Sequence, residues 1–140
     1  MKRRELRENI FKIVFSLKDD SDFSSFFGET FEFYKEDNKI SEKDGEYIKN
    51  EVLGIGSKLA EIDEAISENL KNYTFDRISR VCLAVLRVGI YEIMYTDDIP
   101  DSVAVSEAIY LADSYEDEKA KLFVNGVLGT IARKKTERND

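Results

Sequence analysis

The basic side chains at the start of the chain are the first groups with a chemistry of their own. Four of them, Lys2, Arg3, Arg4 and Arg7, precede or enter an apolar helical repeat. Guanidinium and ammonium groups in such a cluster contact phosphates and release counterions from a nucleic acid. From the charges alone, an ordinary solvated helix start is the default interpretation. Because the helix dipole disfavours cations near a helix N-terminus, the position of the cluster shifts the weight toward a phosphate-binding function.

The formal net charge of -8 is unevenly distributed along the chain. Residues 1–18 carry six basic and two acidic side chains, and residues 133–140 carry four and two. The other 114 residues carry eleven basic and twenty-five acidic side chains. An acidic body repels a polyanion, so we expect a nucleic acid to bind at the basic ends if the fold brings them to one face.

Two further candidate residues, Phe123 and Asn125, lie near the C-terminus. Phe123 belongs to an apolar stripe, which favours a place in the core. Partial exposure beside basic residues would instead make its ring a platform on which a base stacks. Gly126 is expected to mark close helix packing, because apolar residues flank it at helical spacing. Asn125 is then available to bond a neighbour or a ligand.

The residue types that most enzymes and metal sites use are scarce. The sequence has no histidine, which excludes histidine-based nucleophile triads and His-x-x-x-His metal sites. Its one cysteine, Cys82, lies in an apolar run, so we expect a buried thiol in a reducing cytoplasm. The longest strongly apolar stretch, Val81–Leu86, is far below the roughly 18 residues that cross a bilayer. We expect no catalytic residue, metal, cofactor or membrane partner.

The spacing of apolar residues predicts an all-α fold of about seven helices. A first helix covers about residues 4–18, with Arg3, Arg4 and Arg7 leading into its outer face. Aromatic residues 23–34 predict a single second helix. A third helix begins after the cap residue Ser41 and runs to about residue 70, with a kink or a close helix contact at the glycines 54 and 56.

The second half of the chain predicts a central helix with partners on several sides. Residues 73–78 form a short turn or helix, and Ser79 caps a helix to about Tyr95 in which Gly89 lets a neighbour approach. Another helix begins after Pro100. The last helix carries apolar residues from Leu122 to residue 131, and we expect the charged residues 134–140 to fray from its end. Short turns between these helices imply antiparallel neighbours, hence a helical bundle.

Three segments carry a resemblance to a known family. They are VLRVGIYEI at residues 85–93, IPDSVAVSEA at residues 99–108 and KLFVNGVL at residues 121–128. These segments resemble, in order and spacing, the "ILR-x-x-x-YE-[LI]", "IP-x-x-VAINEA" and "KFVNGVL" motifs of the NusB family of bacterial transcription antitermination factors. The basic first helix also resembles that family, so the likeness covers essentially the whole chain.

The resemblance implies a non-catalytic, all-helical RNA-binding protein. It implies one domain of two helical subdomains, at about residues 1–70 and 71–135, which pairs with the ribosomal protein called NusE. The pair would recognise single-stranded boxA RNA in nascent ribosomal transcripts and join other Nus factors on RNA polymerase. Carried over, the RNA face comprises Lys2, Arg3, Arg4, Arg7, Phe123 and Asn125. The NusE surface includes Asp76 and Arg77.

Two other interpretations remain open at this point. A helical module could work only through protein contacts, with its basic N-terminus merely solvated. A NusB-like domain also occurs attached to some rRNA cytosine methyltransferases, although a free-standing factor fits this sequence better. The sequence leaves open whether the protein is a monomer or a homodimer.

Overall fold

A computed structural model describes residues 1–139, and nearly all of them lie in helices joined by short turns. In that range the α-helices are α1 (Arg3–Ser16), α2 (Asp20–Phe26), α3 (Glu29–Asp37), α4 (Glu42–Ser57), α5 (Leu59–Glu68), α6 (Arg80–Tyr95), α7 (Asp101–Tyr115) and α8 (Glu118–Asn139). A 3-10 helix, Phe75–Arg77, precedes α6. The described residues contain no strand, which confirms the predicted all-α class.

Hydrogen bonds at two helix starts confirm the predicted caps. The hydroxyl of Ser41 accepts the backbone N–H of Asp44 at 3.2 Å, and the hydroxyl of Ser79 accepts that of Cys82 at 3.1 Å. Each cap satisfies a backbone donor that has no partner inside the helix. Pro100 stands at the N-cap of α7, where its missing N–H leaves no helix bond unmade.

The predicted second helix is in fact two helices, α2 and α3. Gly28 separates them with φ 139° and ψ -131°, a backbone conformation that residues other than glycine rarely adopt. The predicted third helix is also divided, because Lys58 leaves helical geometry between α4 and α5. The last helix does not fray at residue 134 but continues to Asn139.

The chain divides into two compact units, Met1–Leu59 and Ala60–Asp140, which are described separately. In the first unit, α4 packs against α1 and α2, and α2 packs against α3. Gly56 allows the close approach of α2, since a Cβ at this position would lie 2.9 Å from the Cβ of Phe23. The predicted close contact is therefore confirmed at Gly56. The proposed subdomain division near residue 70 stays a prediction.

In the second unit, α6, α7 and α8 pack on one another around a core centred on α6. Leu86 and Ile90 of α6 are fully buried, as its apolar residues on several faces predicted. A Cβ at Gly89 would lie 2.8 Å from Cδ1 of Leu128, so this glycine lets α8 approach. Along residues 1–139 we find no helix long and apolar enough to cross a membrane.

Polar contacts in the second unit hold helix ends in place. Arg87 of α6 reaches the carboxylate of Asp63 on α5. Glu116, in the turn after α7, accepts hydrogen bonds from the hydroxyl of Ser79 at 3.0 Å and from the thiol of Cys82 at 3.2 Å. The turn between α7 and α8 is thus tied to the first turn of α6.

Candidate nucleic-acid interface

The start of α1 presents three of the four predicted basic residues to solvent. Lys2, Arg3 and Arg4 are exposed, together with Glu5. Lys2 occupies the N-cap of α1 without a side-chain cap hydrogen bond. These three cations therefore form an exposed basic group on the first unit.

Contacts with α4 hold the beginning of the chain in place. Nη1 of Arg3 donates to the hydroxyl of Tyr47, and the guanidinium carbon lies 5.0 Å from the centroid of that ring. The amino group of Met1 lies 2.9 Å from a carboxylate oxygen of Asp44. That charged hydrogen bond holds the pKa of the Asp44 carboxyl below its ordinary value of 3.8. The basic group is consequently attached to a defined helix surface.

Arg7 does not lie on the outer face of α1, where the sequence analysis placed it. Arg7 is only 7% exposed and belongs to the buried residues of the helix. Arg7 stands three, four and seven positions before Ile10, Phe11 and Val14, so it shares their face. The aliphatic part of an arginine can pack along apolar surface in such a place. The prediction that Arg7 faces outward is therefore wrong.

The second unit has a groove of about 530 Å³ beside Phe123, here called the Phe123 groove. It is lined by Asn69, Leu70, Lys71, Leu122, Phe123, Asn125, Gly126, Val127, Gly129, Thr130 and Arg133. The ring of Phe123 is half-buried and packs against Tyr73 with ring centroids 5.3 Å apart. Asn125 is exposed. The groove thus joins a partly open aromatic ring with an exposed amide.

The backbone of α8 is uncovered along this groove. A Cβ added at Gly126 or Gly129 would meet nothing within 4 Å, so the prediction that Gly126 marks close packing is wrong. Leu122, predicted in the apolar stripe, is 63% exposed. Gly126 and Leu122 lie on the face of α8 that lines the groove, not on the face that packs against α6 and α7.

Two cations in the groove were missed by the sequence analysis. Lys71 precedes the 3-10 helix and Arg133 lies on α8, and both are exposed. Arg133 stands four and seven positions after Gly129 and Gly126, so helical spacing could have placed it on their face. The predicted fraying of the helix near residue 134 hid that relation. A ring, an amide and two cations can together contact a base and nearby phosphates.

The two residues predicted to contact a protein partner lie on the 3-10 helix. Asp76 and Arg77 are both exposed. The hydroxyl of Tyr73 donates to the carbonyl oxygen of Arg77 at 2.9 Å, which fixes the turn between Tyr73 and α6. Their role as a partner surface stays a prediction.

Residues 1–139 contain no group of three or more potential ligand side chains that could hold a metal ion. Burial is the main cause that raises the pKa of the Cys82 thiol from 9.0 to about 11. A protonated thiol in this place serves as a packed hydrogen-bond donor.

Comparison with known proteins agrees with the motifs. The model of the NusB family matches residues 4–133. Transcription antitermination protein NusB of Clostridium botulinum is 38% identical over 135 residues, which cover 96% of this chain and 100% of that protein. NusB of T. maritima has a similar structure, with a TM-score of 0.78, 32% identity and coverage of 95% and 92% of the two chains. A chain in a crystal structure of a plectonemic RNA supercoil matches with a TM-score of 0.80, 29% identity and coverage of 96% of each chain.

Proposed function

This chain belongs to the NusB family of transcription antitermination factors, and from that premise we propose that it binds boxA-type single-stranded RNA together with the ribosomal protein NusE. The RNA would be the boxA element of nascent ribosomal transcripts. The complex would join other Nus factors on RNA polymerase and suppress termination. The chain's own part is to bind RNA and a protein partner.

The observation that carries the RNA proposal is the setting of Phe123. Its half-buried ring rests on Tyr73 while Lys71 and Arg133 line the same groove. Aromatic stacking binds unpaired bases, and cations nearby bind the phosphates that connect them. The match to a chain in a structure of an RNA supercoil supports the same class of ligand.

The exposed cations of the first unit would supply a second contact with RNA phosphates. Lys2, Arg3 and Arg4 stand out against a chain whose net charge is -8. The acidic remainder repels RNA, so binding is favoured only where cations are concentrated. Arg7 is buried and is assigned no phosphate in this proposal.

NusE is proposed to bind at the 3-10 helix that precedes α6. Asp76 and Arg77 offer one charge of each sign on an exposed turn held by Tyr73. Such a pair would select a partner surface by charge complementarity. Binding of NusE would then extend the surface available to RNA.

A titration of boxA RNA tests the proposal. Labelled boxA RNA and a scrambled RNA of the same length and composition are titrated with the protein, with and without NusE, and fluorescence anisotropy is measured. We expect tighter binding of boxA than of scrambled RNA, and a further gain with NusE. Equal affinity for the two RNAs in the presence of NusE would contradict the proposal.

The partner site has its own test. The double variant Asp76→Lys, Arg77→Glu should weaken NusE binding in calorimetry while the helical circular dichroism spectrum is retained. The matched control is Asp113→Lys with Lys119→Glu, which reverses one charge of each sign at exposed positions of the same unit. Unchanged NusE affinity in the first variant would remove Asp76 and Arg77 from the interface.

A protein-interaction module that does not bind RNA is the second candidate function. The observation that favours it is the engagement of Arg3 by Tyr47, together with the burial of Arg7, because both reduce the basic surface of α1. NusE binding without any RNA binding would decide for this alternative.

A further inference from the structure

A second groove of the Ala60–Asp140 unit lies along the other side of α8. It encloses about 590 Å³ between α5, the end of α6 and the last turns of α8, and it is here called the α5–α8 groove. Ile131, Lys135 and Arg138 line it at spacings of four and three residues, so they share one face of α8. The glycines of the Phe123 groove lie on the opposite face. The two grooves therefore use opposite faces of α8, although Asn69 lines both of them.

The walls of the α5–α8 groove carry opposite charges. Glu61, Glu64 and Glu68 line it from α5, at spacings of three and four residues. Lys134, Lys135 and Arg138 line it from α8. The acidic set extends over about two helical turns and the basic set over about one, within the two turns from Ile131 to Arg138 by which α8 lines the groove. The groove is thus a two-turn channel with one acidic wall, one basic wall and no net charge.

These charges do not neutralise each other across the groove. Within residues 1–139, Glu64 and Glu68 form no ion pair. Nζ of Lys134 instead donates to the side-chain oxygen of Asn69 at 2.8 Å. Nζ of Lys135 donates to the carbonyl oxygen of Ile93 at 2.6 Å and forms a salt bridge of 3.0 Å with Asp101, which does not line the groove. Lys134 and Arg138 are therefore the cations that the basic wall presents to a ligand, opposite the carboxylates of α5.

The floor between the charged walls is apolar. Ala65, Met94, Tyr95 and Ile131 line it, and Met94 is 36% exposed. Burial, with a smaller contribution from the Glu61 carboxylate, raises the pKa of the Tyr95 hydroxyl. The negative charge of the acidic wall therefore acts on Tyr95 in the floor, where water is partly excluded. A flexible methionine is suited to adapt to an inserted apolar side chain.

We propose that the α5–α8 groove docks an amphipathic helix of a protein partner, with its apolar stripe on the floor, a basic flank against α5 and an acidic flank against α8. Helix-in-groove recognition uses anchors at positions i, i+3, i+4 and i+7, which match a two-turn channel. The separated wall charges fix the direction of the docked helix.

Other ligands fit these walls less well. An RNA strand would meet three carboxylates along its path, and a phosphate-rich surface gains little from a groove of balanced charge. An entirely basic or entirely acidic helix would be attracted by one wall and repelled by the other. This proposal does not depend on the RNA function, because it uses neither the Phe123 groove nor the basic group of α1.

The test uses three synthetic helical peptides with the same leucine stripe. The first peptide has lysines along one flank and glutamates along the other, the second has lysines on both flanks and the third has glutamates on both. Binding to the full chain is measured by fluorescence anisotropy. We expect the first peptide to bind about tenfold tighter than either of the others, a difference that disappears at high salt.

Charge reversal of one wall at a time provides the decisive readout. In the variant Glu61→Lys, Glu64→Lys both walls are basic, so the preference should change to the all-glutamate peptide. In the variant Lys134→Glu, Arg138→Glu both walls are acidic, so the preference should change to the all-lysine peptide. A partly unfolded protein would lose binding without such a reversal of preference. The control Asp113→Lys with Lys119→Glu should keep the wild-type preference.

Two results would overturn the proposal. One is that the mixed-charge peptide does not bind, or binds with the same affinity as the two uniform peptides. The other is a preference that stays the same when either wall is reversed. In the variant Glu61→Lys, Glu64→Lys, the added lysines can attract RNA phosphates as well as an acidic peptide. A gain in RNA affinity without a change in peptide preference would therefore count against a helix-docking groove.

Discussion

The guanidinium of Arg87 forms two parallel hydrogen bonds with the carboxylate of Asp63. Nε lies 3.0 Å from Oδ1 and Nη2 lies 2.8 Å from Oδ2. The Arg87 side chain is 7% exposed and the Asp63 side chain is 26% exposed. The pair therefore anchors α5 to the most buried helix of the second unit.

Breaking this pair should destabilise the protein through the charge left behind. In Asp63→Asn the buried guanidinium loses its anionic acceptor, and we expect the free energy of unfolding to fall by about 1.5–3 kcal/mol. The double variant Asp63→Leu, Arg87→Met should lose less unfolding free energy than the summed losses of the single variants Asp63→Leu and Arg87→Met, because it removes both charges. Urea denaturation measures each value. Strict additivity would mean that the two side chains are not coupled.

Two glycines of the packed helices should respond oppositely to alanine. Gly126→Ala adds a Cβ in open space, so we expect a gain in stability of about 0.5–1 kcal/mol from helix propensity alone. Gly89→Ala has the same propensity gain but places its Cβ 2.8 Å from Cδ1 of the buried Leu128. Its stability should lie about 1–3 kcal/mol below that of Gly126→Ala. Thermal unfolding of the two variants side by side isolates the packing cost.

The basic group of α1 should determine part of the salt dependence of RNA binding. Replacing Lys2, Arg3 and Arg4 by glutamine should flatten the plot of log affinity against log salt by about two units, at about 0.7 per lost phosphate contact. The control removes three other exposed cations of the same unit, Lys12, Lys18 and Lys43. An equal change in both triple variants would assign the effect to net charge and not to this site.

Phe123 should contribute to RNA affinity without affecting its salt dependence. Phe123→Ala removes the stacking surface, so boxA binding should weaken by about 1–3 kcal/mol at an unchanged salt slope. Val103→Ala is the control, because Val103 is an exposed apolar residue on α7 of the same unit and lines neither groove. A thermal melt of each variant accompanies the titration. If Phe123→Ala binds boxA as the wild type does, the groove beside it is not the RNA site.

The Cys82 thiol should link stability to alkaline pH. Its pKa is raised to about 11 in the folded protein, so its contribution to stability is full below the ordinary value of 9.0 and is lost as the pH rises toward 11. The difference in unfolding free energy between the wild type and Cys82→Ala should therefore shrink over that interval. Alkylation by iodoacetamide at pH 8 should also be slow in the folded protein and fast in urea. Rapid alkylation of the folded protein would contradict the buried, protonated thiol.

Much of the fold follows from local chemistry in the sequence. Ser41 and Ser79 were predictable as caps because serine precedes an apolar helical repeat at both places. The division at Gly28 was not predictable from spacing, since the aromatic residues around it keep a helical repeat across the break. A glycine in the interior of a repeat costs only about 1 kcal/mol, so the pattern alone does not tell a tolerated glycine from one that turns the chain.

The candidate site shows a similar limit. The exposure of Lys2, Arg3 and Arg4 agrees with the prediction, whereas Arg7 lies inside although its charge suggested the surface. The spacing of Arg7 from Ile10 and Val14 places it on their buried face of α1, which its charge does not reveal. The Phe123 groove depends on Tyr73 and Lys71, which are far from α8 in sequence. No spacing rule within one helix brings such residues together.

The order in which α6, α7 and α8 follow and pack on one another also bears on how the chain folds. Each of these helices packs on the next, and α6 packs on α8 across one intervening helix. Contacts that close such short loops form in microseconds to milliseconds, roughly, and they do not wait for distant segments of the chain. We therefore expect Leu86→Ala, in the centre of these three helices, to slow refolding, whereas a core truncation elsewhere should mainly speed unfolding.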